Sequence, residues 1–186
     1  MLGAALSLAS EVGLEGVSIA KLAQRVGLSK SGLFAHFSSK ENLQVQLLSE
    51  AASRFVDLVI APGLRQKRGE PRVRALFENW LRWSKADFLP GGCIFIAAAV
   101  ELDDRPGPVR DLLVDSQKDW LATLAGAARI AVSEGHFQRD LDVHQFVHEE
   151  YALAFGHHFI SRLIQEPQAE ARTRAAFERL VRDAKP

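Results

Sequence analysis

Three observations predict an all-α fold of about nine helices. Apolar residues recur at helical spacing along most of the chain, and strand-like alternation is nearly absent. Gly, Pro and capping Ser or Asp residues punctuate that pattern. From Ser18 to Phe37, two short helical patterns flank Gly27 as in a helix-turn-helix. With 47% hydrophobic and 25% charged residues, the 186-residue chain can build the core of one or two small domains and is not a disordered polyelectrolyte.

Helix 1 is expected from about Leu2 to Val12, with Ala5, Leu8, Ala9 and Val12 on one face and Gly13 ending it. Ser18 is the candidate N-cap of helix 2, where Ile19, Leu22, Ala23 and Val26 follow at helical spacing. Gly27 stands where the chain must reverse, a position suited to positive φ. Leu28 is the expected apolar plug between the helices, and Ser29 caps helix 3 with its Lys30, Ser31 and His36. Ser39 caps helix 4, with Asn42 where a capping box would place Glu. That helix carries Leu43, Leu47, Ala51, Phe55 and Leu58 and stops near Ala61-Pro62-Gly63. The basic stretch Arg65 to Arg74, broken by Gly69 and Pro71, reads as a solvated linker. Helix 5 presents Val73, Leu76, Phe77, Trp80, Leu81 and Trp83, and a turn from Phe88 leads to helix 6, about Ile94 to Leu102. A break at Asp103 to Pro108 begins helix 7, which passes Trp120 and reaches about Ser133. Asp142 caps helix 8, running to about Gln165, and helix 9 spans roughly Ala169 to Ala184.

A short helix with small and polar residues at its start, such as helix 3, can enter a major groove and bring them to base edges. The same spacing also fits an ordinary helical hairpin. Net charge is zero, and residues 1–49 carry four cations (Lys21, Arg25, Lys30, Lys40) against Glu11, Glu15 and Glu41. So small an excess argues against sequence-independent nucleic-acid binding by a monomer and leaves room for a dimer that places a few cations well. The one cysteine, Cys93, excludes an internal disulfide and fits a reducing compartment; at the start of an apolar helix it reads as a structural thiol. The apolar start lacks a basic region and meets Glu11, so it reads as helix rather than signal peptide. The longest apolar run, Cys93 to Val100, is too short to span a bilayer, and the expected location is the cytoplasm. No paired-carboxylate, nucleophile–base or phosphate-loop pattern points to an enzyme, and no cofactor is expected. His144 and His148 have a spacing open to a metal ion, but exposed or interfacial histidines are commoner, so no metal is expected.

The segment from Ala4 to Leu43 joins helix 1, the hairpin ending Ser-Lys-Ser-Gly-Leu-Phe-Ala-His-Phe, and the Ser-Lys-Glu-Asn-Leu start of helix 4. It resembles the DNA-binding domain of the TetR family of bacterial transcriptional regulators. The two helices after Asp142 look like the end of that family's C-terminal domain. The resemblance implies a homodimeric repressor, released from a palindromic double-stranded DNA operator by a small apolar or aromatic effector. Residues 1–41 would form the helix-turn-helix DNA-binding domain and residues 42–186 the ligand-binding and dimerisation domain. It further implies that helices 8 and 9 pair with their copies in a four-helix bundle. An effector inside the helical core would move helix 4 and reset the separation of the reading heads.

Carried over residue by residue, the resemblance places Ser18 on phosphate and Ser29, Lys30, Ser31 and Gly32 at the groove-facing end of helix 3. Lys30 would address guanine or a phosphate, and His36 and Lys40 would hold the sugar-phosphate backbone. Phe34 stands where the family commonly has a tyrosine, so it lacks the phosphate-binding hydroxyl and would pack on sugar, thymine methyl or the protein itself. The family usually carries a basic arm ahead of helix 1, where this sequence starts inside the helix; either those contacts are missing or the start is late. Both departures motivate an alternative, a helical small-molecule-binding protein that has lost DNA binding.

For the effector, Trp80, Trp83, Phe88, Phe95, Trp120, Tyr151 and Phe155 are the candidate apolar lining, each also an ordinary core residue. Asn79, Glu101, Tyr151 and His158 are the candidate orienting groups, though Glu101 also suits a contact with the loop after its helix. For the dimer, the candidates are Phe146, Ala152, Ala154, Phe155, Gly156 and Phe159 on helix 8 with Ala175, Ala176, Leu180 and Val181 on helix 9. Some of these must face the protomer core instead, and spacing does not separate the two faces.

Overall fold

The computed structural model describes residues 1–186 and is built of helices alone: α1 (Leu2–Gly16), α2 (Ile19–Val26), α3 (Lys30–Phe37), α4 (Lys40–Phe55), a π-helical turn (Val56–Ile60), α5 (Ala61–Leu64), α6 (Glu70–Trp83), α7 (Ile94–Leu102), α8 (Pro108–Ser133), α9 (Val143–Arg162) and α10 (Ala169–Asp183). Because α4, the π turn and α5 follow one another without a gap, the chain forms nine helical segments, and the expected helices 5 to 9 are α6 to α10. Compact packing divides the chain into one unit of residues 1–56 and 82–118 and another of residues 57–81 and 119–186.

In the first unit, α1 packs on α7 and α4. Gly13 leaves helical geometry at φ 76°, so the regular part of α1 stops there as its position predicts. Its buried residues are Ala5, Leu6, Leu8, Ala9, Ser10 and Leu14, whereas Val12, expected inside, is exposed. The backbone of Gly91 runs so close to α1 that a Cβ there would overlap the Ser10 carbonyl, and its N–H donates to Ser10 Oγ at 3.0 Å. Helices α2, α3 and α4 begin on Ser18, Ser29 and Ser39, whose hydroxyls accept from Lys21, Gly32 and Asn42 N–H. Gly27 closes α2 at φ 67°. Leu28 is 51% exposed, so it is no plug; Leu22, Leu33 and Phe37 fill that space. Phe55, Trp83, Phe88 and Phe95 form an aromatic cluster, with Phe55 edge-on to Trp83 at 5.2 Å and to Phe95 at 5.5 Å.

In the second unit α9 packs along α10, and Phe77 of α6 stacks on Phe177 of α10 at 3.7 Å. In the basic stretch expected as a solvated linker, residues 65–68 are exposed between α5 and α6, but residues 70–74 are helix and two of the stretch's arginines are paired. Helix α6 already starts at Glu70, Arg68 pairs with Glu134, and Arg74 pairs with both Glu70 and Glu178. Asp142 caps α9 by accepting from His144 and Gln145 N–H. No helix is long and apolar enough to cross a membrane.

Candidate nucleic-acid interface and effector site

Helix α3 buries only Leu33 and Phe37, leaving Lys30, Ser31, Gly32, Phe34, Ala35 and His36 exposed. Ser29 Oγ accepts the Gly32 N–H at 3.1 Å and lies 3.3 Å from Ser31 Oγ, so the cap organises the N-terminal end of the helix. A Cβ on residue 32 would come within 3.1 Å of that hydroxyl, which gives Gly32 a local role beside the expected one. Phe34 is 55% exposed and does not pack into the protein's own core. No ion pair holds Lys30, whereas Arg25 pairs with Glu11 at 2.8 Å.

Lys40 is not a free cation. Its Nζ donates to the Glu15 carbonyl at 2.7 Å and pairs with Glu15 Oε2 at 3.2 Å. Gln44 adds bonds to the Leu14 carbonyl and to Glu15 Oε1, at 2.9 and 3.0 Å. The Gln44 hydrogen bond, then that of Lys40, holds the Glu15 carboxyl below its ordinary range. Lys40 therefore ties the end of α1 to the start of α4 while its side chain stays partly exposed.

The predicted effector residues separate into two groups. Trp80, Trp120 and Tyr151 come together around a cavity in the second unit, completed by Phe77, Leu124, Glu150 and Ala154. Its free space is about 10 Å³, room for about one water. Trp83, Phe88 and Phe95 belong to the aromatic cluster of the first unit and do not line this cavity. Glu101 is also elsewhere: its Oε2 accepts the Glu15 N–H at 3.1 Å and its carboxyl abuts Gly13, so it serves the α1–α2 connection. Asn79 is not an orienting group of the cavity, because its amide donates to the Val59 carbonyl of the π turn at 3.1 Å. Phe155 rests against Tyr151 at 5.3 Å, outside the lining. His158 is half-buried away from the cavity, and burial, then Arg162 and His157, lowers its pKa. The neighbouring His157 is the histidine beside Trp80, edge-on at 5.7 Å, with Nδ1 at 3.2 Å from Thr173 Oγ1.

Sequence reasoning missed Glu150. It is 5% exposed, and burial alone pushes its carboxyl up to about 8, with no cation or hydrogen bond opposing the shift. The signal was available: Glu150 lies four residues from both Phe146 and Ala154, which puts it on the inward face of α9.

The same periodicity corrects the dimer candidates. Ala154 and Val181 are buried inside the protomer and leave the interface set, while Phe146 is buried against Phe137 but still borders the groove between α9 and α10. Ala152, Gly156, Phe159 and Ala175 are exposed, and Ala176 and Leu180 are half-buried. Ala152, Ala176 and Leu180 line an open groove of about 600 Å³ between α9 and α10. At the end of α9 and just beyond it, Phe159, Ile160, Leu163 and Ile164 are large apolar residues left at the surface. His144 Nε2 lies 3.4 Å from the Arg129 guanidinium, a cationic neighbour unfavourable to a metal ion.

Residues 1–47 match the family described as bacterial regulatory proteins of the tetR family, and residues 69–177 match the tetracyclin repressor-like C-terminal domain. Over 72 residues the chain is 35% identical to the HTH-type transcriptional repressor AcnR of Corynebacterium diphtheriae, an alignment covering 39% of this chain and 38% of that protein. A TetR-family regulator from Cytophaga hutchinsonii superposes with a TM-score of 0.86 at 17% identity, covering 99% of this chain and 92% of the other. The regulator FadR of Bacillus subtilis, solved in complex with stearoyl-CoA, superposes with a TM-score of 0.75 at 17% identity, covering 97% and 95%. The two domain matches together take in most of the sequence, and the chain belongs to the TetR family of bacterial transcriptional regulators.

Proposed function

We propose that this protein is a homodimeric, ligand-responsive repressor that leaves a palindromic DNA operator when a small molecule binds its C-terminal domain. Residues 1–41 act as the reading head and residues 42–186 as the effector and dimer domain. The observation that carries the reading is α3, whose polar side is fully presented to solvent on a well-capped helix. Lys30, Ser31 and Gly32 enter the major groove, with Lys30 on guanine or phosphate and Phe34 on sugar or a thymine methyl. Ser18 and the start of α2 face a phosphate, as do His36 and Lys40, which set register without reading sequence.

Two copies join through the outer face of α9 and α10, where the small Ala152, Gly156, Ala175 and Ala176 permit close helix approach and Phe159 and Leu180 supply apolar contact. A two-fold pairing of this kind reads an inverted repeat, with half-sites one helical turn or more apart. The effector enters the cavity beside Trp80, Trp120 and Tyr151, whose lining is apolar and aromatic apart from Glu150. Trp80 is the next residue after Asn79, which grips the π turn continuing α4. A shift of Trp80 is thereby passed to α4, the helix tied to the head through Lys40 and Gln44. Switching the population from 1:99 to 99:1 takes about 5.5 kcal/mol of differential affinity.

Selection of DNA from a random pool by the purified protein tests the proposal. An enriched inverted repeat, bound at least tenfold less well by Lys30→Ala, is the expected result. A pool with no enriched sequence would favour a small-molecule-binding protein without operator recognition.

A further inference from the structure

Glu150 is the anomaly of the second unit. A carboxyl placed among Trp80, Trp120, Tyr151 and Phe77 loses its hydration, and nothing in the folded protomer compensates it. The faces of these rings carry negative electrostatic potential, which makes the same space hostile to an anion and attractive to a cation. A carboxylate beside several aromatic faces is therefore matched by an ammonium group, whose charge it neutralises and whose alkyl surface the rings cover. Lys and Arg side chains are absent from the lining, so the protein supplies no such cation itself.

Tyr151 stands between the cavity and the surface. It also lines an outer groove of about 430 Å³ together with Leu121, Ala125, Arg129, His144 and His148. One half-buried side chain thus borders both spaces, and a rotation of it would be needed to join them and admit more than a single water. The outer groove carries Arg129, so the preference for positive charge belongs to the inner cavity and not to its mouth.

We propose that the effector carries an organic ammonium group, seated against Glu150 and enclosed by Trp80, Trp120 and Tyr151. This rests on reading the cavity as the effector site. Binding forms no covalent bond; the Glu150 proton leaves to solvent as the ammonium takes the place of its missing partner.

The test uses the full-length protein without DNA and follows tryptophan emission and calorimetric heat. The probes are tetramethylammonium, tetraethylammonium and phenyltrimethylammonium, with tert-butanol as an uncharged molecule of tetramethylammonium's branching. At least one cation is expected to bind ten times or more tighter than tert-butanol, and Glu150→Gln to lose that preference while still unfolding cooperatively. Equal binding of the uncharged probe, no binding by any cation, or a preference unchanged in Glu150→Gln would overturn the inference. Operator affinity with and without the bound cation is measured separately. A cation that binds without releasing DNA leaves this site standing and counts against the regulatory reading. Operator binding by a protein that ignores all three cations does the reverse.

Discussion

Glu150 makes folding stability depend on pH, and the direction follows from its burial. Below its ordinary value of 4.5 the carboxyl is neutral in folded and unfolded chains alike. Between 4.5 and about 8 the unfolded chain gives up the proton and the folded chain keeps it, so folding stability falls as pH rises through that window. The largest slope from one such group is about 1.4 kcal/mol per pH unit. Glu150→Gln is expected to remove this contribution and to be more stable than the parent at pH 8, as denaturant midpoints at pH 5 and pH 8 would reveal. A parent and variant with parallel pH profiles would contradict the buried carboxyl. At the proposed DNA face, Lys30 and Lys40 differ in what surrounds them. Lys40→Ala removes a cation already paired with Glu15 and also exposes that carboxylate near the duplex. It is expected to weaken all sequences by a similar factor, and salt titrations should show a slope reduced by about one for each phosphate no longer neutralised. Lys30→Ala should cost more on the operator than on unrelated DNA if its contact is to guanine.

Among the elements, α9 shows most clearly how two apolar faces coexist on one helix. Phe146, Glu150, Ala154 and His157 turn inward, and Ala152, Gly156 and Phe159 turn outward, both sets at helical spacing. The π turn between α4 and α5 is the other telling element. Its Val59 carbonyl accepts from the side-chain amide of Asn79, the sequence neighbour of Trp80 in the cavity wall. Asn79→Ala should leave operator affinity and effector affinity each within a few-fold of the parent while reducing the effect of one on the other. Unaltered coupling, measured by titrating DNA at saturating effector, would remove the π turn from the route. At the α1–Gly91 contact, Gly91→Ala drives a methyl into the Ser10 carbonyl and is expected to cost at least about 3 kcal/mol in a urea unfolding experiment.

At the scale of the whole molecule, the exposed apolar surface of α9 is the feature a solitary protomer does not account for. Phe159, Ile160, Leu163 and Ile164 lie at the surface in the last turn of α9 and the residues directly after it. Phe159→Glu places a charge in the proposed two-fold interface and should convert the dimer to monomer in sedimentation experiments. Loss of operator binding should accompany it, because each head then binds its half-site alone and the gain from linking two sites disappears. A Phe159→Glu protein that remains dimeric would move the interface elsewhere.

The amino-acid order by itself determined the helices and their limits, since caps and breaks are local chemistry. Ser18, Ser29, Ser39 and Asp142 each satisfy N–H groups a few residues away, and Gly27 takes the left-handed turn that closes α2. The exposed face of α3 was legible for the same reason, because its residues share one short capped helix. Tertiary structure alone decided which apolar residues meet. Trp80 and Trp83 are three residues apart yet line different packing groups, Leu28 faces solvent, and Lys40 is claimed by Glu15. Asn79 and Glu101 likewise serve the backbone rather than a ligand. Periodicity places a residue on a face of its own helix, but the partner of that face depends on segments distant in the chain, and only the packed protein brings those to Glu150.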